Sequence, residues 1–218
     1  MPLTESEVFN RVLIELSRLG LLLESDSTLP SVAGLVAGEP VRGSWWSHPR
    51  SHAIFRISER LVEHPDVLFV KLILGKVTLV HRRLWPAIVA VASSRERWQV
   101  RGLSNHAATI LRIADRSGRI TAQEIREALK VDSKTAGDGI RELERLLLIH
   151  SESVHTDKGA HQKVVTNWNC WLEVSGATVK TVSPVEGKSI LEAAARSLGG
   201  ERAAHSLPWV NKHDRRSR

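Results

Sequence analysis
The sequence predicts an α+β protein of 218 residues, with amphipathic helices interleaved with two β-hairpins over residues 1–99, 100–175 and 176–218. Three observations carry that expectation. Apolar residues recur at helical spacing behind three capping boxes, Thr4 with Glu7, Thr121 with Glu124, and Ser183 with Glu186. Two stretches rich in β-branched residues, 67–80 and 149–168, each break at a turn-forming centre. No apolar run approaches the roughly 18 residues that a membrane span needs.

The first helix follows Thr4, with Val8, Val12, Leu16 and Leu19 on one side beside Phe9 and Leu13, and Gly20 as its stop. From Gly20 to Ser47 no period is sustained, and Pro30, Gly34, Gly38, Pro40 and Gly43 read as turns and short pieces. Pro49 is expected to open the next helix, because proline fits a first helical position, and Ile54, Phe55, Ile57 and Leu61 form its apolar side up to His64-Pro65. Val67–Ile73 and Val77–Val80 then form a hairpin around Gly75-Lys76. Trp85 to Ser93, with Pro86 at its start, reads as a buried helix, and the polar stretch 93–97 with Arg101-Gly102 marks a domain boundary.

In the second domain a helix over Ala107–Arg116 turns Ile110, Leu111 and Ile113 inward and closes at Ser117-Gly118. The Thr121–Glu124 box starts a helix holding Ile125 and Leu129, and a turn through Lys130-Val131-Asp132 leads to a third helix over Ser133–Leu148. Its expected buried side carries Ile140, Leu143 and Leu147, and its wet side Arg141, Glu142, Glu144 and Arg145. Ile149–Thr156 and Gln162–Trp168 flank the turn-forming Asp157-Lys158-Gly159-Ala160 as a terminal hairpin. Three helices followed by a hairpin predict a winged helix-turn-helix over 100–175. Beyond it, Pro184 opens a helix with Ile190, Leu191, Ala194 and Leu198 that stops at Gly199-Gly200, and 201–218 reads as a flexible basic tail.

The chain carries 31 Lys and Arg against 24 Asp and Glu, a net +7 and a sequence pI near 10.1, which points to a polyanionic partner. The tail concentrates that charge, since Arg202, Lys212, Arg215, Arg216 and Arg218 oppose only Glu201 and Asp214, a net +3. One cysteine, Cys170 between Trp168 and Trp171, excludes an internal disulfide and cysteine-rich zinc sets, and fits a reducing cytoplasmic setting. The acidic Thr4–Glu7 start is unlike a secretory signal. There is no Gly-x-Ser-x-Gly and no phosphate-binding Gly-rich loop, so neither serine hydrolysis nor nucleotide hydrolysis is expected. No cofactor or metal is expected.

Ile120-Thr121-Ala122-Gln123-Glu124-Ile125, then Val131–Thr135 and Ile140–Glu144, resemble bacterial winged helix-turn-helix regulators. In that family the third helix enters the major groove and the wing touches the backbone. The resemblance implies groove-facing Ser133, Lys134, Thr135, Gly137 and Asp138, with Arg141 nearer the phosphates. Asp138 stands between Gly137 and Gly139 where a basic or polar residue is usual. Lys158, His161 and Lys163 on the wing suit phosphate contact. Winged helices also serve as protein-interaction modules, and both readings stand at this point, as does a homodimer built on the helix after residue 183.

The least ordinary composition lies at Arg42-Gly43-Ser44-Trp45-Trp46-Ser47-His48-Pro49-Arg50. Tryptophans beside arginines can stack an unpaired base; alternatively at least one ring anchors the loop in the core. His48 and His52 are four apart, but Pro49 removes His48 from the helix, and no acid or cysteine nearby completes a metal site. His81-Arg82-Arg83-Leu84-Trp85 repeats the mixture. If the two segments met, Arg42, Trp45, Trp46, His48, Arg50, His81, Arg82 and Arg83 would form one basic aromatic cleft.

The segments 42–49 and Lys76–Pro86, together with the helices and hairpin after them, resemble bacterial AlkZ-related proteins over most of residues 30–175. The resemblance implies kinship with winged-helix DNA glycosylases, which excise alkylated bases using a Gln-x-Gln or Gln-x-Asp motif on tandem winged helices. Here Gln99 precedes Val100-Arg101, Gln123 precedes Glu124-Ile125, and Gln162 precedes Lys163-Val164, so no catalytic residue is assigned. The resemblance therefore implies duplex-DNA contact, in repair or transcription, more than base excision.

Overall fold
The computed structural model describes residues 4–155 and 161–210, and the chain divides into two compact units, residues 1–87 with 185–218, and residues 88–184. The boundaries expected at 99/100 and 175/176 therefore shift, and the carboxy-terminal helix belongs with the first unit.

In the first unit, α1 (Glu5–Leu19) starts at the expected capping box, with Thr4 and Glu7 bonded reciprocally. It buries Phe9, Val12, Leu16 and Leu19. Gly20 ends it with φ +82°, in space that only glycine fills, because a Cβ there would lie 2.8 Å from Leu84 and 2.9 Å from the Arg83 guanidinium. The next three residues form β1 (Leu21–Leu23), which the period-based reading missed because all three are buried and show no alternation. A short α2 (Val32–Ala37) is capped by Ser31, and α3 (Ser51–Val62) starts two residues later than Pro49. The hairpin forms as expected, with β2 (Val67–Lys71) and β3 (Val77–His81) antiparallel from Val67 opposite His81 to Lys71 opposite Val77. β1 pairs on the other side of β3, giving the order β1-β3-β2.

The boundary between the units falls within α4 (Trp85–Ser93), where the Trp85 indole donates to the Val80 carbonyl at 3.2 Å. In the second unit a single turn, α5 (Arg97–Val100), buries Gln99 completely. Its amide accepts from the Glu96 N–H and Ser94 hydroxyl and donates to the Ala92 and Leu146 carbonyls, so a polar side chain sits in the interior with its bonding satisfied. Then come α6 (Asn105–Ser117), β4 (Arg119–Thr121), α7 (Ala122–Leu129), α8 (Ser133–Arg145), β5 (His150–His155) and β6 (His161–Thr166). The sheet is antiparallel in the order β4-β6-β5, with Ile120 opposite Val165 and Ser151 opposite Val165 on the other side. Ile110, Ile125, Ile140, Leu143 and Val165 meet in one core. α8 is three residues shorter than expected because Leu147 turns to φ +56°, which sends Leu147 and Leu148 inward from a loop. Trp168, expected to end the second strand, instead starts α9 (Trp168–Ser175) and donates to the Leu147 carbonyl at 2.7 Å.

Back in the first unit, α10 (Pro184–His205) does not stop at Gly199-Gly200: the backbone kinks there and a helical turn resumes. A Cβ on Gly199 would fall 2.3 Å from Leu29, so the kink lets loop and helix touch. Residues 201–210 are not a flexible tail, since Ala203, Ala204, Leu207 and Trp209 are buried. The basic residues Lys212, Arg215, Arg216 and Arg218 lie outside the described residues. Among the described residues no helix is long and apolar enough to cross a membrane.

Candidate nucleic-acid interface
Asp132 caps α8 by accepting from the Thr135 N–H at 2.6 Å, a bond that holds its carboxyl below the usual carboxylate range. Ser133 and Lys134 on the first turn are exposed, and the Ser133 hydroxyl accepts from Arg126 of α7 at 3.0 Å. The next turn explains its two glycines differently. Gly139 is buried, and a Cβ there would lie 2.7 Å from Ile110 of α6, so helix contact requires it; Gly137 has only the Arg141 guanidinium nearby, at 3.5 Å. Asp138, the acid in an unexpected place, forms an ion pair with Arg141, and both are exposed. Lys134 is exposed on the first turn, where its charge also helps to lower the Asp132 carboxyl, while Arg141 pairs with Asp138 one turn further on.

The hairpin departs from expectation at Lys163. Its ammonium lies 2.8 Å from the carboxylate of Glu144, which is only 6% exposed and also accepts from the Ser151 hydroxyl. Glu144 was expected on the wet side of its helix, yet it stands four residues after Ile140 and three before Leu147, the spacing of the buried side. Lys163 therefore belongs to a tie between α8 and the sheet. His161 lies on β6 opposite His155, and Lys158 lies outside the described residues. Arg126 was missed by the sequence reading because it precedes the turn, although it reaches the first residue of α8.

In the first unit, Trp45–Ser47 form a 3-10 turn ahead of α3. The rings of Trp45 and Trp46 stack with centroids 4.0 Å apart and planes 23° from parallel, and Trp46 meets Phe55 at 5.6 Å. Neither tryptophan is buried, and Trp46 is 62% exposed. Phe55, expected to face inward with Ile54 and Ile57, is also exposed. His48 lies outside the helix as expected, accepting from the Arg50 N–H at 3.1 Å and approaching Glu39 at 3.4 Å. The Arg50 guanidinium donates to the Val36 carbonyl, and Arg42 is exposed with no hydrogen bond or ion pair among the described residues.

His81, Arg82 and Arg83 do other work. Arg83 donates to the Arg18 carbonyl at 3.0 Å, where a cation complements the end of α1, and Arg82 pairs with Asp66 at 3.0 Å. His81 accepts from the Arg83 N–H; burial, reinforced by Arg83 and Arg82 and opposed by Asp66, pushes its pKa down. Asp66 follows the carboxy-terminal end of α3, whereas Trp45 and Trp46 pack at the amino-terminal end, and twelve helical residues span about 18 Å. The contacts given for the two segments thus gather at opposite ends of α3. The described residues do not bring three His, Cys, Asp or Glu side chains into a metal-holding group.

Fold and surface together define a two-unit α+β protein with solvent-facing basic side chains on the unit that holds α5 to α9 and the sheet β4-β6-β5. The chain belongs to the AlkZ related family, whose family model matches residues 10–204. Among solved structures it is similar to Streptomyces sahachiroi DNA glycosylase AlkZ, at 14% identity and a TM-score of 0.44, over 91% of this chain and 58% of that one. The chain thus spans little more than half the length of that neighbour. No curated protein matches it.

Proposed function
We propose that this chain is a winged-helix protein that binds duplex DNA in the service of DNA repair, with α8 as the helix that enters the major groove and β5–β6 as the wing. The observation that carries the reading is the order α6-β4-α7-α8-β5-β6 with its sheet order β4-β6-β5, in which Ser133 and Lys134 on the first turn of α8 are exposed, Thr135 is half-buried and Arg126 bonds to Ser133. Family membership supports the link to repair. Contact rather than base excision is favoured, because Gln99, one of three glutamines, is fully buried in structural hydrogen bonds, and Gln123 is bonded to Glu127. On this reading the chain works in the cytoplasm where bacterial DNA lies, and a homodimer through α10 would present two such helices.

Duplex binding titrated against salt tests the proposal. The log of the affinity should fall linearly with log salt, and Lys134→Ala should reduce the slope by about one. Binding that ignores salt would turn the reading toward a protein partner. Abasic sites appearing in an alkylated duplex would replace simple contact with excision.

A further inference from the structure
We propose that the Trp45–Trp46–Phe55 step on the first unit is a stacking platform for the bases of single-stranded nucleic acid, separate from the helix proposed to read duplex. Stacking with centroids 4.0 Å apart and planes 23° from parallel uses one face of Trp46 on Trp45. Its 62% exposure leaves the remainder open, and Phe55 extends the aromatic surface. A base can continue that stack, since every base has a π face and ring stacking is sequence-tolerant.

The surroundings favour nucleic acid over an apolar protein segment. The exposed large hydrophobic side chains of residues 40–58 are the aromatic Trp46 and Phe55, and none is aliphatic. Around it stand Gly43, Ser44, Ser47 and the cations Arg42 and Arg50, and no Asp or Glu occurs between Pro40 and Ser58. The flanking acids are Glu39, engaged with His48, and Glu59. Arg42 and Arg50 carry the charge that phosphates linking the stacked bases require, and Arg42 has no competing partner among the described residues.

Labelled oligo(dT) and oligo(U) of about 12 nucleotides, within the range such surfaces cover, would be titrated with the full chain. Wild type should bind at least one, and whichever binds more tightly identifies the strand. Trp46→Ala should weaken that binding about tenfold or more while Trp46→Phe retains most of it; Lys134→Ala should leave it within twofold. Arg42→Ala, at an exposed position, should weaken binding and lower its salt slope, a second test that removes no aromatic contact. No binding to either strand, a Trp46→Ala variant that binds as wild type, or a loss caused equally by Lys134→Ala would overturn the proposal. Because the last two variants sit on different units, failure here leaves the duplex-binding proposal standing on its own test.

Discussion

The Lys163 ammonium lies 2.8 Å from the Glu144 carboxylate, and that contact joins the return strand of a hairpin to the inner side of the helix beside it. An acid 6% exposed is costly to leave without its cation, whereas Lys163 is 39% exposed and remains partly solvated. Lys163→Met should therefore destabilise the protein by about 1–3 kcal/mol. Adding Glu144→Gln should recover part of that loss in chemical denaturation. The same Lys163→Met should change the salt slope of duplex binding little; a fall of a full unit would return Lys163 to the phosphate-contact role expected from sequence.

Asp138 and Arg141 make the opposite kind of pair, exposed and three residues apart on α8. Such a pair contributes under about 1 kcal/mol. Asp138→Asn should leave stability nearly unchanged and release Arg141 for phosphate. Duplex affinity should rise and its salt slope steepen by about one. Equal affinity of variant and wild type at low salt would remove this face of α8 from the interface.

The two glycines of α8 separate packing from propensity. Gly137→Ala should stabilise by about 0.5–1 kcal/mol, because its nearest neighbour is a movable guanidinium at 3.5 Å and alanine favours the helix. Gly139→Ala should destabilise by about 1–2 kcal/mol net, as a methyl 2.7 Å from the fully buried Ile110 forces α6 and α8 apart. Thermal melts of the two variants should shift in opposite directions.

Acid should weaken the first unit through Asp26 and His81. Burial alone would raise the Asp26 carboxyl, but hydrogen bonds from Lys76, the Thr28 and Leu29 N–H groups and the Thr28 hydroxyl hold it far below the usual range. A carboxyl lowered in the folded state contributes stability above its unfolded value near 4 and loses it as pH falls below that value. His81, also lowered, resists protonation when folded, so stability drops as pH falls below its unfolded value near 6.5. Denaturation should show a shallow decline starting near pH 6.5, flattened by His81→Gln, and a steeper one below about pH 4, flattened by Asp26→Asn. A profile flat from pH 7 to 3 would contradict both assignments.

Much of the helical order was legible because its signals are local. The boxes at Thr4–Glu7 and Thr121–Glu124 form as read, and so does the hairpin over 67–80. β1 and β4, three residues each, were not legible, since a strand that short is defined by the neighbour it pairs with. The same limit applied to the site. That Lys134 and Arg141 stand on one helix could be read from its pattern, whereas the commitment of Lys163 to Glu144 and of Arg83 to the end of α1 depends on residues 19 and 65 positions away.

By itself the sequence determined that α1, α6, α7 and α8 are helical, that Thr4 and Thr121 cap two of them, and that tryptophan and arginine cluster at 42–50, because caps, periods and composition act over a few residues. Only the tertiary structure decided that Trp45 and Trp46 remain at the surface, that Glu144 is buried, and that α10 returns to the first unit. Burial is a property of what a distant segment places opposite a side chain, and that distance is closed only by folding.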